Sequence, residues 1–589
     1  MPGLYGLINK NNKKTLSEIA KMSFSLNLYS HFQFLEHKFY YEDKSAIGLC
    51  TIEKIENINK YYYKEKFIEV FIDGEVYNLD ELNQFFKFEN NKYLEFSELL
   101  IHSHLNGKID YFLSKVDGYF NAVLYDLKEN QISLVTDRYG KRMMYWTLSN
   151  NCFYWSSEVK GLLAVQDISK KINESSIDCF LNLGYLIGED TWFKNIKLQK
   201  PATRIVYDLK KEKVFEYLYW SWSEYEPNNM SFDDAVDGSY DYFKKSMKKR
   251  FNINDKIGVS LSGGLDSRCL IAELCKSNPN FNAYAYTFGI KNCDDIDIAN
   301  QVISKTKWEH DIFYFEDEDW FNKRIKFIWN TDGMFDLQHM HGAEFGFQIA
   351  KKMSINISGY LGDVVMGGGW LNPNFFNQKP TSISTNDFYS KYAQLESFND
   401  DYYNIKRREV GLITSSRARR FTNLGLVNML PWIKQRMPFF DNDLLKHLIC
   451  MPEQYRYDNK MYSSMLKRYY PDFFRTIPWQ KTGFIVGPNK NIPIYKKLFR
   501  KVRRSLKQKK YFYHDYSNWI KTKEIKDTLY DLFDKKNSIL FSLTKDHSYF
   551  QSLENHMYNS KINNINLILR IATIELYLRM VFKQSVKMS

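Results

Sequence analysis

The stretch of sequence that decides the fold reads Ile257-Gly-Val-Ser-Leu-Ser-Gly-Gly-Leu-Asp-Ser-Arg268. An apolar strand leads directly into a turn with two adjacent glycines, and apolar residues at helical spacing follow the turn. Adjacent glycines let the backbone turn tightly and bring its N–H groups close to an anion. The N-terminus of the following helix adds a favourable dipole and free amides. The stretch therefore predicts a phosphate-binding loop between a strand and a helix.

The side chains of this loop suit a nucleotide with a bound metal ion. Ser262 and Ser267 offer hydroxyl groups as donors, and Asp266 offers a carboxylate to a metal ion that bridges phosphates. No Gly-Lys-Ser/Thr follows, so the loop is not a Walker loop. An ordinary glycine turn is the structural alternative, but six residues in this order and context favour a phosphate loop.

The composition is that of a soluble globular protein with two or more domains. The chain has 589 residues, of which 44% are hydrophobic and 26% charged. The formal net charge is +13. Part of that excess lies in residues 496–510, which we interpret as a solvated helix face. Docking of an acidic partner or an anionic membrane surface is the alternative for that run.

Cysteine usage and hydropathy narrow the class of protein further. Seven cysteines are scattered without a CxxC pair or a zinc-type cluster, which predicts a reducing cytoplasm. The sequence has no apolar stretch of the roughly 18 residues that a membrane span needs. Nothing in the sequence predicts nucleic-acid binding.

Hydrophobic periodicity divides the chain into parts. Short alternating runs at 67–72, 122–125 and 132–135 predict an antiparallel sheet domain with a few helices. From about 257 to 363, strand and helix patterns alternate, which predicts a parallel sheet covered by helices. Residues after about 388 are mostly helical in pattern.

A polar stretch separates the two patterns. Residues 224–229 contain a proline and are interpreted as a linker. Ser231 then offers an N-cap to a helix that reaches about Arg250.

A second strand also ends in a glycine-rich turn with a carboxylate, at Ile355-Asn-Ile-Ser-Gly-Tyr-Leu-Gly-Asp363. Ligands of a doubly wound sheet lie at the carboxyl ends of its strands. Asp266 and Asp363 both follow predicted strand ends, so both can face one bound nucleotide. Mg²⁺ takes one or two protein carboxylates besides phosphate oxygens. The sequence therefore predicts a metal site at Asp266 and Asp363.

These motifs together resemble the asparagine synthetase superfamily, and the loop at 262–267 resembles the pyrophosphate loop of the N-type ATP pyrophosphatases. The later motifs are a Ser-Gly turn with an aspartate and trailing glycines at 358–369, R-x-P-F-x-D at 436–441 and K-x-G-F at 481–484. In the N-terminal part, the landmarks of the family's glutaminase domain occur in order at 73–78, 117–120, 136–141 and 157–160.

The resemblance implies an α/β fold and a set of site residues. The expected parts are an N-terminal Ntn-hydrolase-like antiparallel sheet sandwich at 1–205, a parallel-sheet N-type ATP pyrophosphatase domain at 225–490 with a helical C-terminal part, and a basic helical extension at 491–589. ATP and Mg²⁺ are the implied cofactors. The implied nucleotide contacts are Leu261, Ser262, Gly263, Gly264, Leu265, Asp266, Ser267, Thr287, Ser358 and Gly359.

The N-terminal part departs from the family's glutaminases. Those enzymes expose a nucleophilic cysteine directly after Met1, where this chain has Pro2. The first cysteine is Cys50, which cannot supply a free α-amine as its own base. The family's oxyanion donor is replaced by Asp73, whose carboxylate would repel an oxyanion. The acidic residue expected to hold the glutamine amine is replaced by Phe96. We predict that this domain does not hydrolyse glutamine; an unusual alternative nucleophile is the competing interpretation.

The synthetase part departs as well. Asparagine synthetases carry Glu three residues before the metal-binding Asp, where this chain has Tyr360, and they carry Glu after that Asp, where it has Val364. The β-lactam and carbapenam synthetases, which use an internal amine, place Tyr at the first position and pair it with a downstream Glu. Tyr360 therefore resembles their general base, and Glu396 is its predicted partner by approximate spacing. An aromatic pocket wall is the structural alternative for Tyr360.

The resemblance implies a reaction in two steps. A carboxylate substrate attacks the α-phosphate of ATP, which gives an acyl-adenylate and pyrophosphate, and an amine then attacks the activated carbonyl. Lys481 would stabilise the oxyanion and the leaving AMP; a surface ammonium is its structural alternative.

The hypotheses differ in the source of the amine. The first is an amide synthetase whose own substrate supplies it, as in lasso-peptide cyclases and β-lactam synthetases. The second is an ammonia-using enzyme that makes asparagine or amidates another acid, such as a sugar uronate. The third is a non-catalytic scaffold. The implied partners are a small-molecule or peptide carboxylate and an amine, with peptide-processing proteins and a homodimer left open.

Overall fold

The computed structural model of the chain describes residues 2–8, 15–39, 45–53, 58–86, 93–316, 319–369, 371, 414–487, 513–544, 547–559 and 561–583. Glu396 and the basic run at 496–510 lie outside the described residues, so what the sequence predicts of them stays a prediction.

The N-terminal part is a sandwich of two six-stranded antiparallel sheets. Its strands are β1 Gly3–Ile8, β2 Gln33–Phe39, β3 Ser45–Thr51, β4 Tyr62–Glu65, β5 Ile68–Val76, β6 Gly118–Asp126, β7 Gln131–Thr136, β8 Tyr145–Ser149, β9 Cys152–Ser156, β10 Lys197–Leu198, β11 Thr203–Asp208 and β12 Lys213–Leu218. The first sheet has the order β10-β8-β9-β1-β3-β2, and the second has the order β12-β11-β7-β6-β5-β4. The predicted antiparallel sandwich is confirmed.

Alternation along the strands builds the sandwich core. In β5, Phe71 packs between the sheets with Leu4 of β1 and Val123 of β6. The flanking Val70 and Ile72 face the other way, into the core shared with the helices. Successive side chains of a strand point to opposite faces, so one apolar run serves both layers. The helices of this part are Thr15–Leu26, Leu79–Phe85, Phe96–Leu105, Ile109–Leu113, Val159–Leu163 and Glu174–Leu183.

A five-stranded parallel sheet follows, as predicted, in the order β15-β14-β13-β16-β17. Its strands are β13 Ile257–Ser260, β14 Tyr284–Gly289, β15 Glu309–Tyr314, β16 Ile355–Ile357 and β17 Lys434–Arg436. The chain leaves β13 toward β14 and later returns to pair with the other edge of β13 through β16. The strand order therefore reverses between β13 and β16, and the crevice at their carboxyl ends is where such sheets bind ligands.

Helices cover this sheet and complete the chain. They are Phe232–Lys249, Asp266–Ser277, Asp294–Ile303, Trp320–Asn330, Gly346–Ala350, Gly362–Val365, Asn423–Val427, Asn442–Cys450, Glu453–Arg456, Lys460–Tyr469, Pro471–Phe474, Tyr516–Trp519, Lys523–Leu532, Ile539–Leu543, Gln551–Tyr558 and Ile565–Phe582, with a π-helix at Thr414–Thr422. The predicted N-cap is confirmed, because Ser231 Oγ accepts a hydrogen bond from Asp234 N at 3.1 Å. Among the described residues, none of the helices combines the length and apolarity that a bilayer span requires.

A buried ion cluster joins the sandwich to the parallel-sheet part. The guanidinium of Arg250 lies 3.1 Å from Asp117 of the sandwich and 2.8 Å from Asp441. All three side chains are buried, and removing one partner from such a cluster leaves a buried charge without compensation. The two parts are thus fixed to each other close to the crevice.

Candidate active site

The glycine-rich loop is held in shape by its own side chains. Ser262 N donates to Ser267 Oγ at 3.2 Å, and Gly264 N donates to Ser262 Oγ at 3.2 Å. Gly263 N donates to Asp295 Oδ1 at 2.9 Å, from the first turn of the helix that follows β14. These contacts fix the loop backbone at the carboxyl end of β13.

The K-x-G-F segment is docked directly on this loop. Gln480 N donates to Gly263 O at 3.2 Å, and a Cβ added at Gly263 would lie 2.6 Å from Gln480 Cβ. Arg268 adds a brace, since its guanidinium donates to Pro478 O at 2.9 Å and to Ile477 O at 3.0 Å. Glycine at 263 is therefore required by close packing. This packing brings Lys481 to the crevice.

Asp266 and Asp363, predicted from two separate motifs, meet at the switch point. Asp363 N donates to Asp266 Oδ2 at 2.8 Å, and Tyr462 OH donates to Asp266 Oδ1 at 3.0 Å. Burial, and then the nearby Asp363, raise the pKa of Asp266 well above its usual value. Loss of solvation also raises the pKa of Asp363, against the opposing effect of Lys481.

This pair of carboxylates fits a divalent cation. Asp363 is exposed as a residue although its carboxylate loses part of its solvation, and Asp266 is half-buried. Carboxylate oxygens are the ligands that Mg²⁺ prefers, and Mg²⁺ completes its shell with phosphate oxygens and water. Asp266 and Asp363 would hold such an ion against the phosphates of a nucleotide.

Lys481 lies on the exposed side of the same crevice. Its Nζ lies 5.4 Å from the ring centroid of Trp479, and its charge acts on Asp363. The segment closes on itself, because Trp479 N donates to Phe484 O at 2.8 Å. Gly483 takes the left-handed backbone conformation, with φ +74°, which favours glycine. The motif thus fixes the backbone on both sides of the lysine.

The remaining predicted nucleotide contacts line the same crevice in different ways. The hydroxyl of Thr287 is buried and donates to Leu261 O at 2.8 Å, so it braces the end of β13. Ser358 Oγ accepts from Tyr360 N at 3.3 Å. Gly359 packs on Asp266, where an added Cβ would come within 3.0 Å of Asp266 Cβ. Their roles toward a nucleotide stay predictions.

Tyr360 points into the boundary with the sandwich. It is buried, its hydroxyl donates to Ala418 O at 2.7 Å, and Lys141 Nζ donates to the same hydroxyl. Burial raises the pKa of Tyr360 well above its usual value. A phenol in this setting does not ionise near neutral pH. In this conformation it is part of a domain contact, and a general-base role needs a change in its surroundings.

The positions at which this chain departs from the family's glutaminases are buried, and so is the first cysteine. Burial raises the pKa of Cys50 to about 12, so its thiol stays protonated. Asp73 is buried, and its Oδ2 lies 3.4 Å from Nη1 of Arg142. Phe96 packs on Phe120, with ring centroids 4.9 Å apart. All seven cysteines fall within the described residues, and all are free thiols.

Sequence reasoning missed several residues of the site. Asp295 had a usable signal, since it follows the end of the strand next to β13 and opens a helix. Arg268 directly follows the loop but has the appearance of a surface cation. Tyr462 carries no local signal, because one tyrosine among 43 reveals its partner only in the fold. Lys141 ends the family landmark at 136–141, but that landmark does not indicate its contact with Tyr360.

Comparison with known proteins agrees with this geometry. A family model described as glutamine amidotransferase domain matches residues 1–220, and one described as asparagine synthase matches residues 239–556, more than half of the chain. A protein of Methanocaldococcus jannaschii, described as a glutamine-hydrolyzing asparagine synthetase 2, is 26% identical over 369 residues, which cover 61% of this chain and 69% of that protein. Asparagine synthetase 3 of Bacillus subtilis, also described as glutamine-hydrolyzing, is 27% identical over 213 residues, which cover 36% of this chain and 34% of that protein.

One solved structure overlaps part of the chain weakly. A structure titled as the allosteric regulatory enzyme of purine biosynthesis has a TM-score of 0.27 and 10% identity, covering 52% of this chain and 80% of that one. A likeness this low supports no argument about function.

Proposed function

Because the chain belongs to the asparagine synthase family and is an ATP-dependent ligase that forms carbon–nitrogen bonds, we propose that it activates a carboxylate as an acyl-adenylate and joins it to an amine that glutamine does not supply. The observation that carries this proposal is the convergence of three separate sequence segments on one crevice. The loop at 261–267, the turn that ends in Asp363 and the segment of Lys481 are held together by direct contacts.

Different residues of the crevice would contribute to the first step, the formation of the acyl-adenylate. The substrate carboxylate attacks the α-phosphate of ATP, and the bond to the β-phosphate breaks to release pyrophosphate. The loop N–H groups and the helix N-terminus at Asp266 would hold the phosphates. A Mg²⁺ ion held by Asp266 and Asp363 would neutralise charge on the phosphate oxygens.

Lys481 would act in the second step. The amine attacks the acyl carbonyl, negative charge grows on the carbonyl oxygen, and AMP leaves. An ammonium at the crevice mouth can stabilise both the oxyanion and the AMP phosphate. The exposed position of Lys481 on a backbone fixed by Gly483 supports this role.

The loss of the glutaminase site supports an amine from another source. Pro2, Asp73 and Phe96 replace the three groups that glutamine hydrolysis requires, and Cys50 is a buried thiol with a raised pKa. The first proposal for the amine is one carried by a peptide or small-molecule substrate, with Tyr360 and Glu396 as the predicted base and its partner. An ammonia-using synthetase is the second candidate, and the hydrogen bond from Tyr360 to Ala418 favours it, because that hydroxyl is already engaged.

The experiment offers purified protein MgATP and a panel of amino-acid, peptide and uronate carboxylates. Each acid is tested with glutamine, with ammonium chloride and with no added nitrogen source. We expect equal amounts of AMP and pyrophosphate with at least one acid, and no glutamate from glutamine. ADP and phosphate as products, or glutamate released in step with AMP, would contradict the proposal. MgATP binding without turnover for every acid would favour a scaffold.

A further inference from the structure

A buried lysine of the sandwich contacts Tyr360, at the boundary between the sandwich and the synthetase part. Lys141 is 3% exposed, and its Nζ lies 4.1 Å from the ring centroids of both Tyr360 and Phe440. The Nζ also donates to the hydroxyl of Tyr360. Tyr360 lies three residues before Asp363, in the turn that leaves β16. The Lys141 side chain therefore joins the sandwich to the turn that carries Asp363.

This lysine lacks an ion-pair partner among the described side chains. Within the described part of the chain, no Asp or Glu side chain forms an ion pair with Lys141 Nζ; Asp137, on its own loop, instead accepts from the backbone N of Lys141 at 3.2 Å. Burial lowers the pKa of Lys141 well below its usual value; the nearby charge of Asp137 opposes this shift, and Arg419 adds to it. The charged and titratable groups around it are Asp137, Tyr119, Tyr360 and Arg419, with Glu75, Arg142 and Lys434 around the adjoining cavity.

Such a residue is expected to lower the stability of the folded protein. Its charged form loses hydration without an ion-pair partner. Local features that reduce stability without structural compensation are concentrated at functional sites.

The contact is arranged to orient the turn rather than merely to fill space. The Tyr360 hydroxyl donates to Ala418 O at 2.7 Å, so it accepts from Lys141 with a lone pair and its direction is set from both sides. On the opposite side, the turn wraps Asp266, and a Cβ at Gly362 would come 2.5 Å from Asp266 Cγ. Only Leu361 and Gly362 separate Tyr360 from Asp363 in the chain.

We propose that Lys141 is a positioning residue of the synthetase site, supplied across the domain boundary to orient Tyr360 and the turn that carries Asp363. The inference rests on the proposed function for its catalytic consequence. It gives the sandwich a task that does not depend on glutamine. The N-terminal domain contributes a side chain to amide synthesis in place of a nitrogen donor.

The test compares Lys141→Met, which removes the amine and keeps the length, with Lys160→Met. Lys160 is also buried, but it lies 2.9 Å from Glu158 and 3.3 Å from Asp332. Lys160→Met should lower the unfolding temperature, because two buried carboxylates lose their cation. Lys141→Met should leave it equal or raise it at pH 7. Because the folded-state pKa of Lys141 is lowered, the unmodified protein becomes more stable as pH rises toward the ordinary pKa of lysine. The difference in unfolding temperature between Lys141→Met and the unmodified protein should therefore be smaller at pH 9.5 than at pH 7.

Two further measurements test whether Lys141 positions the turn that carries Asp363. Hydrogen exchange of the peptide 358–369, with MgATP bound, should be faster in Lys141→Met and Tyr360→Phe than in the unmodified protein. With an acid that the unmodified protein accepts, amide formation should fall by about 10- to 10²-fold, because small displacements of reacting groups cost this much. The double variant should be little worse than either single variant, because both act through one contact.

The outcomes separate this inference from the proposed function. Loss of stability in Lys141→Met like that of Lys160→Met, or unchanged exchange at 358–369, overturns the positioning role whatever the reaction is. Full amide formation in Lys141→Met overturns it as well. A protein that forms no AMP with any acid overturns the proposed function, while the unfolding and exchange measurements still decide the role of Lys141.

Discussion

The backbone N–H of Asp363 donates to Oδ2 of Asp266 across 2.8 Å, which joins the two carboxylate-bearing turns at the ends of β16 and β13. The residues are far apart in sequence, and each follows a strand of the parallel sheet. The reversal of strand order between these strands places both turns in one crevice. This single contact brings two sequence motifs into one crevice, where we propose the metal and phosphate site.

Asp266→Asn and Asp363→Asn should each lower pyrophosphate formation by at least about 10²-fold, because each removes a ligand of the same ion. The double variant should be little worse than either single variant, since residues that act as a unit are non-additive. Asp319→Asn, at an exposed carboxylate in an ion pair with Lys323, is the control and should be unaffected. Additive losses would show that the two carboxylates do separate jobs.

Gly263→Ala should disturb the site through packing. The new methyl group would lie 2.6 Å from Gln480 Cβ and push the segment of Lys481 away from the loop. We expect MgATP affinity and amide formation to fall by about 10-fold or more, as for misplaced reacting groups. Gly487→Ala is the matched control, because no atom of the described residues beyond its chain neighbours lies within 4 Å of its added Cβ. Equal behaviour of the two variants in calorimetric titration with MgATP would contradict the packing account.

Lys481→Met should act after adenylation. Exchange of labelled pyrophosphate into ATP should persist, while amide formation falls by about 10²–10³, the usual cost of removing one oxyanion donor. Lys244→Met, at an exposed lysine of the helix Phe232–Lys249, is the control. If Lys481→Met instead abolishes MgATP binding, the lysine anchors the nucleotide and its assignment to the second step is wrong.

Acid should weaken the fold through His341. Burial and the nearby Arg324 lower the pKa of His341 from 6.5 to about 3. The unfolded chain therefore binds a proton that the folded chain does not, and stability falls as pH drops below 6.5, by about 1.4 kcal/mol per pH unit for this group. The unfolding temperature of His341→Gln should fall less between pH 7 and pH 5 than that of the unmodified protein. An identical loss in both would show that His341 is not the group responsible.

Much of the fold could be predicted from local patterns. The glycine turn after an apolar run placed β13, the loop and the next helix, and alternation between strand and helix patterns implied the parallel sheet. Ser231 marked a helix start because its hydroxyl can accept from the backbone of the first turn. Asp266 and Asp363 could be paired because parallel strands end at one edge.

Contacts between distant segments could not be predicted in the same way. The partner of Tyr360 was expected on the synthetase part at Glu396, a position outside the described residues, whereas the structure brings Lys141 of the sandwich to its hydroxyl. Asp295 holds the loop amide of Gly263 only because β14 lies beside β13. These contacts depend on how layers pack, and no local periodicity encodes that.

We propose that a carboxylate becomes an acyl-adenylate in this crevice. An accepted acid whose carboxylate oxygens are labelled with ¹⁸O tests this step, and the mass of the AMP formed with the amide is measured. We expect one labelled oxygen in AMP, because one carboxylate oxygen stays bonded to the α-phosphate when the amine displaces AMP. Unlabelled AMP, or ADP as the nucleotide product, would contradict it.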